Sequence, residues 1–583
     1  MMMQGVIRMK KLFQFLRPYR FAVMSSLGLI FLQVLSELFL PTLMANIVDI
    51  GLVNGDTAYI FKIGALMILI TIFGIACAIA ASYLSSRTST AFGRDLRREV
   101  FQRAESFSLN EFDKIGTSSL ITRTTNDIAQ IQQLVMMSLR IMARAPMMAI
   151  GGVIMAVYKN PKLSLILVFT VPFIVVGIAI VGKFGAPLFK VMQTKLDKLN
   201  QVLRESLMGV RVIRAFNKVD HEANRFKEAN YDLTNTAIRV NRIMALMLPL
   251  LSIILNFTTI AVIWFGAINI DEGTMKVGDL MAFIQYVSQI MFSLVMVSMM
   301  FVMVPRAAAS AARINEVLDM ETEINDPEKW VSAPKKGGVV EFKNVYFTYP
   351  GAEEAVLKNI SFKAEPGKVT AIIGGTGSGK STILNLIPRF YDVTSGSISV
   401  DGIDLRHMPQ KELRDQIGFV PQKAVLFTGT ISENIQYGKE DATEEEIQNS
   451  TEIAQASEFI RGLEDGLNSF IAQGGTNVSG GQKQRLSIAR ALVRKAPIYL
   501  FDDSFSALDF KTDAKLREAL KNEVSDSTFI IVAQRVSTII DADQIIVLDE
   551  GEIAGIGSHK ELLRDCNVYR EIVSSQLSEE EMA

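Results

Sequence analysis

Two short stretches carry residues whose types and spacing can do chemistry. In the first, TAIIGGTGSGKST, a β-rich run at residues 369–373 leads into Gly374, Gly375, Thr376, Gly377, Ser378, Gly379, Lys380, Ser381 and Thr382. That is the pattern G-x-x-x-x-G-K-[ST] between a strand and an apolar helix start. Its glycines let backbone N–H groups close on phosphate oxygens, and the helix N-terminus adds positive potential. Lys380 is expected to neutralise β- and γ-phosphates and Ser381 to ligate Mg²⁺. The second stretch is IYLFDDSFSALD, residues 498–509, where an apolar run ends in Asp502 and Asp503. The first acid suits Mg²⁺; the second is one methylene shorter than a glutamate.

The elements around these stretches divide the chain in two. Its 583 residues are too many for one core and suggest three or four domain-sized units. The hydrophobic share is 49% and the mean hydropathy is +0.26, with the surplus gathered in the first 305 residues. Six stretches there are long and apolar enough for helices that span a bilayer: about 21–43, 61–86, 136–158, 163–183, 243–270 and 277–305. The first requires Glu37 near one end. The third requires Arg140 and Arg144 to reach the cytoplasmic boundary with their long side chains. Basic residues precede the first span (Arg8, Lys10, Lys11, Arg17, Arg20) and fill the long segments after the second and fourth, so both termini are expected in the cytoplasm.

Those two long segments read as helix. Phe92, Leu96, Val100 and Phe101 recur at helical spacing with charges between them, and turns are expected near residues 110–119 and 212–220. Contact with a cytoplasmic partner would stabilise hairpins of this length. Residues 1–320 are thus expected to form a helical membrane domain and 321–338, rich in Pro and Gly, a linker. From 339 to 583, strand-like and helical runs alternate as in an α/β domain. A net charge of −1 gives no bias toward nucleic acid. Cys77 and Cys566 are too differently placed to suggest a disulfide, and no zinc ligand set or cleavable signal peptide is expected.

With NVSGGQKQRLSIARAL added to these motifs, the chain resembles the ATP-binding cassette family over nearly its whole length. The resemblance implies that Ser479, Gly480, Gly481 and Gln482 belong to the family signature. It implies that Gln422 links Mg²⁺ to the membrane domain, that Tyr349 stacks on adenine, and that Asp509 communicates across a dimer. Six spans followed by a cassette resemble an exporter half-transporter in a bacterial plasma membrane, two such halves sandwiching ATP and Mg²⁺ head to tail. The implied fold is six transmembrane helices with long cytoplasmic extensions plus an α/β P-loop nucleotide-binding domain.

Two positions depart from the family. Where it places a glutamate to polarise the attacking water, this chain has Asp503; where it places a histidine against the γ-phosphate, Gln534. Retracting a carboxylate by about 1 Å can cost about 10²-fold in rate, and a glutamine amide carries neither proton nor charge at neutral pH. His221, His407 and His559 lie elsewhere in the sequence. With its signature intact, the chain resembles the degenerate-site partner of an unequal pair. That implies a non-identical second half with the consensus residues. Gln473 and Gly474 also replace a glutamate and a basic residue before the signature, which puts cross-talk to the coupling helices in question.

For cargo, the sixth span offers Met281, Met291, Met296, Met299, Met300 and Met303 beside Phe283, Phe292, Gln285 and Gln289, an adaptable lining for amphipathic compounds or drugs or simply a packing surface. Glu37 either binds cationic drugs, lies at the outer interface, or pairs with another group. Lipid or peptide export and an ATP-gated channel or regulatory half are the alternatives.

Overall fold

The computed structural model describes residues 9, 11–298, 300–331, 337–523 and 526–576. Arg8, Lys10, Met299 and linker residues 332–336 lie outside the described residues. The chain forms two compact units, one of Met1–Glu105 and Gly116–Met320, the other of Ser106–Ile115 and Glu321–Ala583. Residues 106–115 therefore group with the second unit, not with the rest of the expected membrane domain.

The first unit is helical. Its main helices are α1 (Arg20–Asn46), α2 (Thr57–Glu105), α3 (Ala143–Lys159), α4 (Pro161–Met208), α5 (Val219–Asp271), α6 (Val277–Ser298) and α7 (Met300–Asp319). Five described helices are long and apolar enough to cross a membrane; the segment Pro161–Gly177 of α4 is a shorter apolar one. Ile68, Leu69, Ile72 and Phe73 on α2 point outward and exposed, as a lipid-facing surface requires. The 49 residues of α2 span about 74 Å at 1.5 Å each, against a hydrocarbon core of about 30 Å. Its polar half extends far beyond the apolar one. There Phe92, Leu96 and Val100 are buried one turn apart, while Phe101, a further 100° round the helix, is 58% exposed and leaves the stripe. The turn between α3 and α4 is written in Asn160-Pro161: the Asn160 side chain accepts from Leu163 N at 2.9 Å, and the proline takes the first helical position.

Near the polar ends of these helices, Asp127 is buried and accepts from Ser310 Oγ at 2.8 Å and Arg313 Nε at 2.7 Å. Arg123 reaches the Arg313 carbonyl and Glu316. These ties hold the π-helical stretch Arg123–Asp127 against α7.

The second unit is α/β. Its strands are β1 (Val340–Phe347), β2 (Leu357–Ala364), β3 (Val369–Gly374), β4 (Ser395–Val400), β5 (Ile403–Asp404), β6 (Ile417–Val420), β7 (Gly429–Thr430), β8 (Phe470–Ile471), β9 (Ile498–Asp502), β10 (Thr528–Val532), β11 (Gln544–Asp549) and β12 (Glu552–Gly557). An antiparallel sheet runs β2-β1-β4-β5, and a six-stranded sheet runs β12-β11-β3-β10-β9-β6, parallel except for β12. β3, β9 and β10 are near-continuous apolar runs because helices cover both faces of a parallel sheet. Register aligns their ends: Val532 pairs with both Ile372 and Asp502, and Val420 with Phe501. One edge of the sheet thus presents the ends of β3, β6, β9 and β10, where open α/β sheets bind ligands.

Also in this unit, the short helix Leu109–Ile115 sits where a turn is expected. Its Glu111 is buried, and Asp113 accepts from the Tyr391 hydroxyl at 3.3 Å. Burial and that carboxylate push the Tyr391 hydroxyl up to about 12.

Candidate functional site

The loop after β3 turns into helix α8 (Lys380–Leu386) through Gly379, at φ 96°. A side chain there would be strained, and its Cβ would lie 2.6 Å from Leu357 Cδ2. With glycine at this position no side chain caps α8, so the first backbone N–H groups are left for a ligand. Ser378 Oγ is buried without a hydrogen-bond partner among the described residues. Lys380 Nζ folds back onto the Gly374 and Gly375 carbonyls at 2.9 and 2.6 Å. Burial holds its pKa below the usual lysine range, opposed by the Asp503 and Asp502 carboxylates. Uncapped amides, an unpartnered hydroxyl and a cation held by weak acceptors make a cradle suited to a polyphosphate.

Beside it, Ser381 Oγ donates to Asp502 Oδ1 at 2.9 Å. Burial pushes the Asp502 carboxyl up, against the pull of that hydrogen bond. No group of three His, Cys, Asp or Glu side chains placed to hold a metal ion occurs among the described residues. One carboxylate and one hydroxyl next to a phosphate cradle still suit Mg²⁺, which takes few protein ligands and completes its shell with phosphate and water. Tyr349 lies against the same helix: its hydroxyl pairs with Thr382 Oγ1 at 3.0 Å, and its ring meets Phe347 and Tyr391 edge-on.

Asp503 follows β9 with φ 47° and is 8% exposed. Its Oδ2 accepts from Gln534 Nε2 at 2.8 Å and from Gln422 Nε2 at 3.4 Å. Burial pushes this carboxyl up as well, with the Gln422 hydrogen bond opposing. The loops carrying these residues are cross-braced. Ser506 Oγ donates to the Asp503 carbonyl at 2.8 Å, and Arg535 donates to the Ser506 carbonyl at 3.2 Å. Gln576 Nε2 donates to the Gln534 carbonyl at 2.9 Å, while its Oε1 accepts from Val536 N. Neither Ser506 nor Gln576 stood out in the sequence. A serine in the SALD loop could have been noticed, whereas nothing local marks a glutamine 42 residues beyond its contact.

The sequence-predicted residues Lys380, Ser381, Asp502, Asp503, Gln422 and Gln534 are thus brought together, with Tyr349 and Thr382 along one side. Ser479 to Gln482 lie elsewhere on the unit, at the start of helix α9 (Gly480–Leu492). There Ser479 Oγ accepts from Gln482 N and the Gln482 side chain accepts from Ser479 N at 2.8 Å, a capping box that leaves the serine O–H free to donate outward. Asp509 does the same job for helix α10 (Phe510–Glu523), accepting from the Thr512 amide and hydroxyl, which hold it below the usual carboxylate range.

Inside the first unit, a cavity of about 910 Å³ is lined by Glu37, Arg140, Arg144, Gln289, Met291 and Phe292, among others. Glu37 is already engaged: Arg144 Nη2 donates to its two oxygens at 2.7 and 3.0 Å and Gln33 adds a bond at 2.9 Å. Of the three roles expected for it, pairing within the chain is the one observed. Arg144 correspondingly turns to Glu37 and the cavity. Of the methionines, Met291 and Met296 line the cavity, whereas Met281 is 41% exposed.

Residues 23–294 match the ABC transporter transmembrane region, and residues 357–506 the ABC transporter family. An ABC transporter ATP-binding protein of Mycobacterium tuberculosis is 44% identical over 97% of both chains. The chain belongs to the ABC transporter family. An ATP-dependent lipid A-core flippase of Vibrio parahaemolyticus is 31% identical over 98% of each chain. A bacterial Atm1-family ABC exporter solved with ATP bound superimposes with a TM-score of 0.81 at 27% identity, over 97% of this chain and 100% of that one. As an ABC exporter, the protein couples ATP to transport and is a multi-pass integral membrane protein built from a helical transmembrane domain and an α/β nucleotide-binding domain.

Proposed function

We propose that this ABC exporter chain is the ATP-holding half of an unequal pair that moves amphipathic compounds out of a bacterial cell across its plasma membrane, both termini being cytoplasmic. The observation that carries the reading is the contact of Gln534 Nε2 with Asp503 Oδ2 at 2.8 Å. A general base must come within about 2.6–3.2 Å of the proton it accepts. Asp503 is short for that reach, and its Oδ2 already accepts from an amide that cannot relay a proton.

In this reading the loop amides and Lys380 bind the ATP phosphates, Tyr349 borders the adenine and Thr382 the phosphates. Ser381, Asp502 and Gln422 would hold Mg²⁺, which supplies neutralising charge to the phosphates. Ser479, Gly480, Gly481 and Gln482 face the ATP bound by the partner half, and Asp509 lies toward the seam between the halves. Turnover then takes place mainly at the partner's site, completed by this chain's signature.

Purified alone, the chain is expected to bind ATP and release little phosphate; co-purified with its cognate half it should hydrolyse ATP. Robust turnover by the chain alone, abolished by Asp503→Asn, would overturn the reading. A second reading, lipid translocation, is favoured by the lipid A-core flippase relatives at 31% and 34% identity. ATP-dependent movement of a labelled lipid, and not of a soluble dye, in vesicles holding both halves would select it. Peptide export would appear as peptide uptake in the same vesicles. A channel or regulatory half would dissipate a dye gradient without building one.

A further inference from the structure

The charges that line the cavity do not balance. Two arginines, Arg140 and Arg144, face one acid, Glu37. Arg144 and Gln33 fill the Glu37 carboxylate, and Arg140 has no hydrogen-bond or ion-pair partner among the described residues. Arg144 lies fifteen residues from the end of α3 at Lys159, or about 22 Å at 1.5 Å per residue, and Arg140 four residues deeper toward the other side. With a hydrocarbon core of about 30 Å, Arg144 lies within the apolar thickness and Arg140 close to its inner edge. Cations at such depths are expensive and normally face a partner or a substrate path. Arg140 also belongs to the π-helical stretch Ser138–Met142, a local widening that often marks a functional site.

The remaining wall has a different chemistry. Gln289 Oε1 is buried and has no donor among the described residues, while Met148, Met291 and Phe292 supply apolar surface, the methionines flexibly. The geometry points to a binding site for an amphiphile with an anionic group, a carboxylate or phosphate ester, at Arg140. Its apolar chain lies along the methionines, and a hydroxyl or amide N–H meets Gln289. A cationic drug meets a net positive wall whose single carboxylate is taken. This assignment deepens the export reading by naming the class of cargo, and rests on that reading only for the movement of what is bound.

The test uses the full chain in nanodiscs of zwitterionic lipid, with dansyl-labelled undecanoate and a dansyl-labelled alkyl trimethylammonium of equal length. The carboxylate is expected to bind at least about tenfold more tightly. A single-chain alkyl phosphate should displace it and inorganic phosphate should not. Arg140→Gln should bring the two affinities together, and Arg140→Lys should keep them apart. Glu37→Gln, by freeing Arg144, should tighten anion binding, a gain that no folding defect imitates. If Arg140→Gln does not fold, the lysine and Glu37 variants decide.

Equal affinities or a preference for the cation in the unaltered chain would overturn the inference. So would an Arg140→Gln protein with its preference intact, a weakening on Glu37→Gln, or displacement by inorganic phosphate alone. The two readings fail separately. An anion preference without ATP-driven movement in vesicles containing both halves removes export and leaves the site, whereas ATP-driven export without the preference removes the site alone.

Discussion

Replacing Asp503 with glutamate and Gln534 with histidine together should turn the chain's own nucleotide site into a hydrolytic one. The longer side chain advances the carboxylate by about an ångström, a displacement worth about 10²-fold in rate, within the span of about 10²–10⁴ attributed to a positioned base. Two features resist. Gln534 Nε2 grips Asp503 Oδ2 at 2.8 Å, so Asp503→Glu alone keeps the amide clamp and should recover less than the pair. The position is 8% exposed, and overpacking by one methylene costs about 1–3 kcal/mol where the surroundings cannot yield. Two copies of this chain would offer intact Ser479, Gly480 and Gly481 to both repaired sites, so no second protein is needed. The assay is phosphate release in nanodiscs, normalised to binding of a fluorescent ATP analogue, with a melting curve to report folding. A double variant that folds and binds ATP, yet turns over within about threefold of the unaltered chain, shows that these two residues are not what limits hydrolysis.

Three further outcomes follow from the same geometry. Burial raises the Asp503 pKa, so the ATP-free folded state holds this proton more tightly than the unfolded chain does. The ionised carboxylate therefore destabilises the fold at neutral pH, and the penalty fades as pH falls through the raised value toward the ordinary carboxylate range. Asp503→Asn should raise the melting temperature near neutral pH by an amount that shrinks on acidification; a pH-independent change would contradict this. Ser479→Ala removes an N-cap worth about 1 kcal/mol and should abolish most ATPase activity of the assembled pair while this chain's own ATP binding persists. Equal loss of both in nucleotide-binding assays would show that the serine acts only as a cap. Asp127→Ala deletes the acceptor for Ser310 and Arg313. Charged hydrogen bonds of this kind are worth about 1.5–3 kcal/mol each, so the melting temperature in detergent should fall clearly, and an unchanged value would mean the cluster is not stabilising.

What the sequence disclosed and what it hid divide along chain distance. The phosphate loop and Asp502 were legible because each lies at the end of a strand, and parallel strands bring those ends to one edge, whereas Gln422 and the signature were named by the family resemblance. The apolar stripe of α2 was legible until Phe101, where one residue's rotation turned a side chain outward. Pairings between distant residues left no such trace. Glu37 meets Arg144 across 107 residues, Ser310 meets Asp127 across 183, and Tyr391 meets Asp113 across 278. In each case neither neighbourhood has a periodicity that names the other. Reading Arg140 and Arg144 as side chains bound for the membrane boundary was reasonable from their length, but the acid at Glu37 and the cavity between them are facts of packing.

The backbone at Asp503 bears on how such a chain can arise. Its φ of 47° lies in the left-handed region, where aspartate is several-fold enriched over most non-glycine residues because its short polar side chain bonds locally. Glutamate is not among the residues enriched there, and backbone strain of this type is worth about 1–3 kcal/mol; the Asp503 side chain itself is tied to Gln534 and Gln422, not to its own turn. On the proposed reading of this chain as the non-hydrolysing half of a pair, exchanging glutamate for aspartate would relax the turn and be favoured by stability alone. Drift toward a resting site would then run downhill in folding energy, and a hydrolytic site would persist only where selection on turnover opposes it.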